Sequence, residues 1–341
     1  VSTSLLRFVT RRLLALPLVL LGITLVTFIL LHLVPGDPVR LLLGEGATDP
    51  KIIAAVRAQW GLDQPLHVQY LRYLVNLTGG ELGISIRSGR PVAWDLARYL
   101  PATIELGSVS FLLTLLIGIP LGVISGARAN TLTDHASRVG SLLFLSMPSF
   151  WFGLILVYIG YYQLGILPTP TGRLGMADVP PPGLTGLFLV DSLLARDGAL
   201  FLRAFWHLLP PAVVLALASI GLVVRMLRSS MVEILNQDYI RTAWAKGSTS
   251  RRVFYTHALR NALIPTVTVL GIQFGSLFGG NVLIEMVFAW PGIGLYFVES
   301  IKWLDYAPVL GATVLISTAF VSVNFLVDVT YAVLDPRIRY Q

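Results

Sequence analysis

Six stretches of the chain run without a single Asp, Glu, Lys or Arg: residues 13–36, 106–127, 139–172, 204–224, 261–284 and 307–327. Each reaches the roughly 20 residues a helix needs to cross a bilayer, and the third exceeds one crossing. All six are expected to be helices, because lipid offers backbone N–H and C=O groups no partners. Pro17, Pro120, Pro148, Pro210 and Pro265 fall inside the runs, and prolines are tolerated in membrane helices. The first run follows Arg7, Arg11 and Arg12 and stays uncharged to Gly36. A cleaved signal has only about 7–15 apolar residues, so this run reads as a retained anchor.

The polar segments between the runs set the expected orientation. Arg128 and Arg138 flank the link between the second and third runs. The link between the fourth and fifth holds Arg225, Arg228, Arg241, Lys246, Arg251, Arg252 and Arg260, and the tail holds Arg337 and Arg339. With six crossings, these segments and the N-terminus share one side. Lys and Arg collect on the cytoplasmic side, which predicts that both termini are cytoplasmic. On the other side, the 291–306 link balances Lys302 against Glu299 and Asp305. The long segment 37–105 shows helical spacing at Ile52, Ile53, Val56 and Trp60, started by Asp49-Pro50. It shows it again at Leu66, Tyr70, Tyr73 and Leu74, ended by Thr78-Gly79-Gly80. A small helical extracytoplasmic cap is the expectation. The Pro- and Gly-rich link 172–203 predicts irregular loop with one short helix.

Composition agrees with the pattern. The chain is 55% hydrophobic and 13% charged, where soluble domains carry about 25% charged residues. A net charge of +7 suggests nucleic acid, but the basic residues lie at the ends of apolar runs, as topology requires, and are not gathered on one face. No nucleic-acid partner is expected. Cysteine is absent, which removes thiolate catalysis and Cys-based metal sites. The five histidines show no ligand spacing, so no metal site is expected. A P-loop needs Gly-Lys-Ser/Thr; the lysines are Lys51, Lys246 and Lys302, and none follows Gly. No catalytic residue is expected in this chain.

The richest polar segment lies between the fourth and fifth runs. Met231, Ile234, Leu235 and Tyr239 fall on one face of a 3.6-residue period, and Ile240 and Trp244 on another. A helix with two apolar faces should touch two surfaces. Gly247 suits a C-cap, Lys246 a last turn, and Ser248 or Ser250 the start of another helix. Small Ala243 and Ala245 leave room for a close approach. From the pattern alone, the segment serves equally well as a solvated link or as a docking site.

The stretch Asp238-Tyr-Ile-Arg-Thr-Ala-Trp-Ala-Lys-Gly247, continued by His257-Ala-Leu-Arg-Asn-Ala-Leu-Ile-Pro265, resembles the EAA loop of binding-protein-dependent ABC import permeases. Its form is similar to that of the dipeptide/oligopeptide (and nickel) branch. Ala243 stands at the last Ala of the triplet and Gly247 at the motif's Gly; Arg241 and Thr242 stand where the wider superfamily has Glu and Ala. Val34-Pro-Gly-Asp-Pro38, Leu62-Asp-Gln-Pro-Leu66 with Gln69-Tyr70, Leu100-Pro-Ala-Thr103, Trp290-Pro-Gly-Ile-Gly294 and Leu334-Asp-Pro-Arg337 resemble the same branch, in order, over nearly the whole chain.

The resemblance implies an all-α membrane protein with about six transmembrane helices in the type I ABC importer fold. It implies a transmembrane helix over 1–36, an extracytoplasmic segment over 37–105, a five-helix core over 106–334 with a cytoplasmic coupling loop at 229–262, and a tail at 335–341. It implies ATPase coupling through Asp238, Arg241, Thr242, Ala243, Ala245, Lys246 and Gly247. The partners implied are a second homologous permease subunit, two ATPase subunits that bind ATP and Mg²⁺, an extracytoplasmic substrate-binding protein, and membrane lipid. The cargo implied is peptide, with nickel complexes or glutathione as alternatives. A stand-alone channel or secondary transporter would show more buried ionisable residues or an inverted repeat, and neither is evident.

Three residues are candidates for the translocation path. Gln273 and Phe274 lie in the Gly-rich fifth run, where the small residues serve either an aqueous path or helix packing. Glu285 follows that run, either lining the path or ending a helix at water. Asp328, near the end of the sixth run, is expected to be a helix-end carboxylate.

Overall fold

The computed structural model describes residues 2–44, 49–277 and 281–334, with the side chains of 2–13, 15 and 327–334 outside that description. The chain begins with α1 (Ser2–Leu33), α2 (Pro38–Leu43), α3 (Pro50–Trp60) and α4 (Leu66–Thr78). Then come α5 (Val92–Leu113), a π-helical turn (Thr114–Gly118), α6 (Ile119–Ala127), α7 (Leu132–Ser146) and α8 (Ser149–Leu156), which runs into a second π turn (Val157–Gln163). Next are α9 (Phe188–Leu194), α10 (Gly198–Leu235), α11 (Asp238–Ala245), α12 (Ser250–Arg252) and a third π turn (Val253–Ala258). The chain continues through α13 (Leu259–Leu277), α14 (Val282–Val287), α15 (Ile293–Lys302) and α16 (Tyr306–Leu334). Among the described residues there is no strand, only an isolated bridge between Ile84 and Pro91.

Among the described residues, four stretches are long and apolar enough to cross a membrane: Leu16–Leu33, Val92–Ala127, Gly198–Leu235 and Tyr306–Leu326. The pair Leu132–Ser146 and Ser149–Gln163, bent by 100° where Pro148 interrupts the helix, makes a fifth if it is taken as one broken span. Of the fifth uncharged run, residues 261–277 belong to α13, whose Arg260, Asn261 and Gln273 keep it less apolar. The helices also outrun the uncharged stretches. α10 has 38 residues, about 57 Å at 1.5 Å per residue, well beyond the hydrocarbon thickness of about 30 Å.

Two compact units form. One contains residues up to 101 together with 291–322. Its caps match the sequence: Asp49 accepts from Lys51 N at 2.9 Å, with Pro50 in the first turn, and Gly61 ends α3 in the left-handed region. Asp37 caps α2 through Val39 N (3.0 Å) and takes Arg57 Nη2 at 2.6 Å. Burial works to raise the Asp37 carboxyl, but the Arg57 and backbone bonds outweigh it and hold it below the ordinary aspartate value. Tyr70 of α4 ties the cap to α1, its hydroxyl donating to Leu21 O at 3.1 Å. Phe28, Leu31, Val309 and Leu310 form the core beneath.

In the same unit, Asp305 clasps the turn before α5. Its carboxylate accepts from Ser85 Oγ (2.6 Å), Ile86 N (3.0 Å) and Arg87 N (3.1 Å). Burial still pushes this carboxyl above its ordinary value, against those three bonds and the Arg87 charge. Asp95 is buried beside Arg90 (3.1 Å) and Tyr296, and burial, with the Asp95 charge, pushes the Tyr296 phenol up.

The other unit contains 102–290 and the chain from 323 on. α10 is its axis. Gly118, at the end of the first π turn, and Gly122 and Gly126 of α6 follow at four-residue spacing and meet Val223, Leu227 and Met231 of α10. A Cβ at Gly126 would lie 2.5 Å from Met231 Cβ and 3.2 Å from Arg228 O, so only glycine allows the two backbones this close. The π turn ahead of α6 precedes Pro120, which has no N–H to continue an α ladder.

Candidate functional site

Local chemistry builds α11. Asp238 stands in its first turn, suited to the positive end of the helix dipole. The C-terminus closes as a Schellman motif: Ser248 N donates to Ala243 O (3.2 Å) and Gly247 N to Trp244 O (2.9 Å). Gly247 sits at φ +77°, the left-handed region that favours glycine. The expected single face over 231–239 is divided. Met231, Ile234 and Leu235 end α10, and the chain breaks at Asn236-Gln237 before α11 begins. Thr249, not Ser248 or Ser250, takes the N-cap position of α12, and its side chain makes no capping bond.

One residue seats α11. Ile240 is wholly buried in a cluster with Val123 of α6, Leu227 and Met231 of α10, Val253 and Ala258 of the third π turn, and Ala262 of α13. Ala243 packs on the same cluster. Trp244 leans edge-on against Phe254, centroids 6.2 Å apart, while staying 42% exposed. Tyr239, on the neighbouring face, takes a bond from Asn261 Nδ2 at 2.9 Å. Asp238, Arg241, Thr242, Ala245, Lys246 and Gly247 are exposed. Six of the seven expected coupling residues thus share the open surface, and Ala243 turns inward.

The path candidates are dispersed differently. Gln273 and Phe274 lie on α13, but Glu285 does not continue that helix. It lies in the first turn of the separate α14 and is 1% exposed. Thr103 Oγ1 donates to Glu285 Oε1 at 3.4 Å. Phe274 packs on Phe111, centroids 4.9 Å apart, and lines a small cavity with Thr103, Ile104, Gly107, Ser108 and Leu277. Gln273 is half-buried and is not among the described lining residues. The expected helix-end role of Asp328, and the glycines at 279 and 280, lie outside the described side chains and residues.

Two of the motifs quoted from sequence meet here. Trp290 is wholly buried and donates from Nε1 to Ala102 O at 2.8 Å, bringing the Trp290 turn against the helix that carries Thr103. Sequence reasoning missed four buried groupings: Trp290 with Ala102, Arg173 with Glu105, Asp134 with Arg228, and the glycine seam. Only the seam had a signal, the repeated Gly-x-x-x-Gly from Gly118.

Comparison with known proteins places this geometry. Residues 118–340 match the family described as "Binding-protein-dependent transport system inner membrane component", and residues 5–107 its N-terminal counterpart, "Binding-prot-dependent transport system membrane comp, N-term". The chain is 48% identical over 321 residues, 94% of each chain, to the probable D,D-dipeptide transport system permease protein DdpB of Escherichia coli strain K12. It is 43% identical over 337 residues to the di/tripeptide transport system permease protein DppB of Pseudomonas aeruginosa, covering 98% of this chain and 99% of that one. It is 40% identical over 337 residues to the oligopeptide transport system permease protein AppB of Bacillus subtilis, covering 97% and 98%. A helical chain with several apolar crossings, matched from end to end, belongs to the family of inner-membrane permease components of binding-protein-dependent ABC importers.

Proposed function

We propose that this chain is one permease subunit of an ATP-driven importer of short peptides, supplying half of the translocation pore. It acts with a second, homologous permease subunit, two ATPase subunits that bind ATP and Mg²⁺, and an extracytoplasmic substrate-binding protein. Both termini and the 229–262 loop face the cytoplasm, and the 37–105 cap faces outward. α11 is the coupling helix. The observation that carries this reading is its two-sided build: Ile240 is locked into four helical elements while Asp238, Arg241, Thr242, Ala245, Lys246 and Gly247 stay open to a partner. Peptide cargo is supported by the printed names of the relatives; nickel complexes and glutathione are the alternatives.

ATPase closure displaces α11, and Ile240 passes that displacement to α6, α10 and α13. Gln273, Phe274 and Glu285 then border the path that opens. Reversing a 1:99 preference between two states takes about 5.5 kcal/mol of differential binding, a scale nucleotide binding can supply.

Purification with co-expressed partners tests the assembly: co-isolated ATPases support it, and uptake by this chain alone in liposomes overturns it. Gly247→Asp puts a negative charge at the negative end of α11 in open space. It should leave insertion intact and separate ATP hydrolysis from uptake; normal uptake removes the coupling role. Protease added to spheroplasts should cut within 37–105 and spare 241–252, and the reverse pattern overturns the orientation. Identifying what the partner binding protein holds decides the cargo.

A further inference from the structure

We infer that Asp134 and Arg228 are positioning residues for energy coupling. Their ion pair, wholly buried at Asp134 and half-buried at Arg228, locks the turn before α7 onto α10, so that α6, α7 and α10 follow α11 as one body. The inference rests on reading α11 as the coupling helix.

Asp134 is wholly buried in the first turn of α7. Arg228 of α10 grips it as a fork, Nε to Oδ1 at 2.5 Å and Nη2 to Oδ2 at 2.7 Å, the bidentate geometry that fixes orientation as well as distance. Ser125 of α6 donates to Oδ1 at 2.6 Å, and Asn130 N donates to Oδ2 at 2.8 Å. Asn130 holds φ at 65°, a conformation Asn tolerates better than most residues, and this presents its N–H to the carboxylate. One carboxylate therefore gathers α6, the 128–131 turn, α7 and α10.

This knot lies beside the seat of α11. Leu227 and Met231 flank Arg228 on α10, and both belong to the cluster that receives Ile240. Across from them, Gly122 and Gly126 bring α6 so close that a Cβ would stand 2.9 Å from Leu227 Cβ and 2.5 Å from Met231 Cβ. Ser125 and Gly126 are adjacent, so the ion pair closes the end of the glycine seam nearest α11.

Stability alone does not call for such a pair. A buried ion pair replaced by well-packed apolar residues is often neutral or stabilising. What the fork adds is direction. The apolar seam and the Ile240 seat are non-directional and let one helix slide or turn on another. The fork removes that freedom, so a displacement entering through Ile240 is delivered to α7 as well as to α10.

The test is the reconstituted full complex in proteoliposomes, with uptake and ATP hydrolysis measured together. Asp134→Asn and Arg228→Lys should lower the amount transported per ATP hydrolysed by about tenfold, within the range of typical coupling between sites. The deciding variant is the apolar pair Asp134→Leu with Arg228→Met. A purely structural role predicts that it assembles and couples like wild type, which would overturn the inference. The positioning role predicts normal assembly and thermal stability with the same loss of coupling. If Asp134→Asn fails to assemble, the apolar pair and Arg228→Lys still decide. A wild-type complex without ATP-driven uptake, or an Ile240→Ala variant with the wild-type ratio, would instead remove the coupling-helix reading beneath the inference.

Discussion

α11 and the segment 172–197 belong to the same compact unit, and they are fastened by opposite means. α11 is seated chiefly by apolar contact, Ile240 with Ala243 beside it, and its own ion pair, Asp238 with Arg241, is loose at 3.5 Å with side chains 96% and 73% exposed. The 172–197 segment is fastened by buried charge. Arg173 Nη2 lies 2.6 Å from Glu105 Oε2, and both side chains are under 10% exposed. Arg173 also donates to Gly186 O (2.8 Å) and stacks over Phe188, while Leu189 N donates to the second Glu105 oxygen (2.7 Å). Asp191 completes the segment by accepting from Thr185 and Gly186. Burial works to raise its carboxyl, but those bonds and the Arg173 charge hold it below the ordinary value. Apolar contact is non-directional and survives small shifts; a buried ion pair that loses its partner leaves an uncompensated charge. The element proposed to move is held by the tolerant kind of contact, and the 172–197 segment by the intolerant kind. Asp134 with Arg228 sets an intolerant lock directly behind a tolerant seat.

The largest effect should come from halving the buried pair. Glu105→Gln is expected to destabilise the detergent-purified protein by about 3–5 kcal/mol, because Arg173 is left charged and buried. Glu105→Leu with Arg173→Met should recover most of that loss. A thermal midpoint unchanged by the single substitution would erase the contrast. Next comes Ile240→Ala, a large-to-small change in a filled cluster, at about 2–4 kcal/mol locally. It should raise protease sensitivity across 236–249 and lower uptake per ATP, while Ile240→Val stays near wild type. Gly126→Val should follow at about 1–3 kcal/mol of overpacking, read as a lower midpoint with the cap unaffected. The smallest effect is at Asp37 and Arg57, an ion pair close to water worth no more than about 1 kcal/mol. The folded value of Asp37 is lowered. Its contribution is therefore present above the unfolded value of about 3.9 and is lost as pH falls through the lowered one. Arg57→Ala should shrink the drop in midpoint between about pH 5 and pH 3; an equal drop in both proteins would show that this pair contributes nothing.

Legibility followed the range of the interaction. α3 begins at Asp49-Pro50 and α4 ends before Gly79 because caps and breaks are local. Gly247 reads as a C-cap from sequence for the same reason. Glu285 did not follow the same rule. Its uncharged neighbours suggested a continuation of the helix that carries Phe274, and its actual partner, Thr103, lies 182 residues away. Nothing in the local sequence marks Asp134, because its partner Arg228 lies 94 residues on.

From the sequence alone came the membrane class, the placement of the apolar runs, and the family resemblance centred on 238–265. Those follow from periodicity, composition and motifs, all of which act within a few residues. Tertiary structure decided which face of α11 is open, that Ile240 rather than Trp244 is its anchor, and that three polar groupings, at Trp290, Arg173 and Asp134, tie distant segments together. Burying a charge or seating an aliphatic side chain depends on what the rest of the chain brings within a few ångströms, and that is a property of the fold and of no single segment.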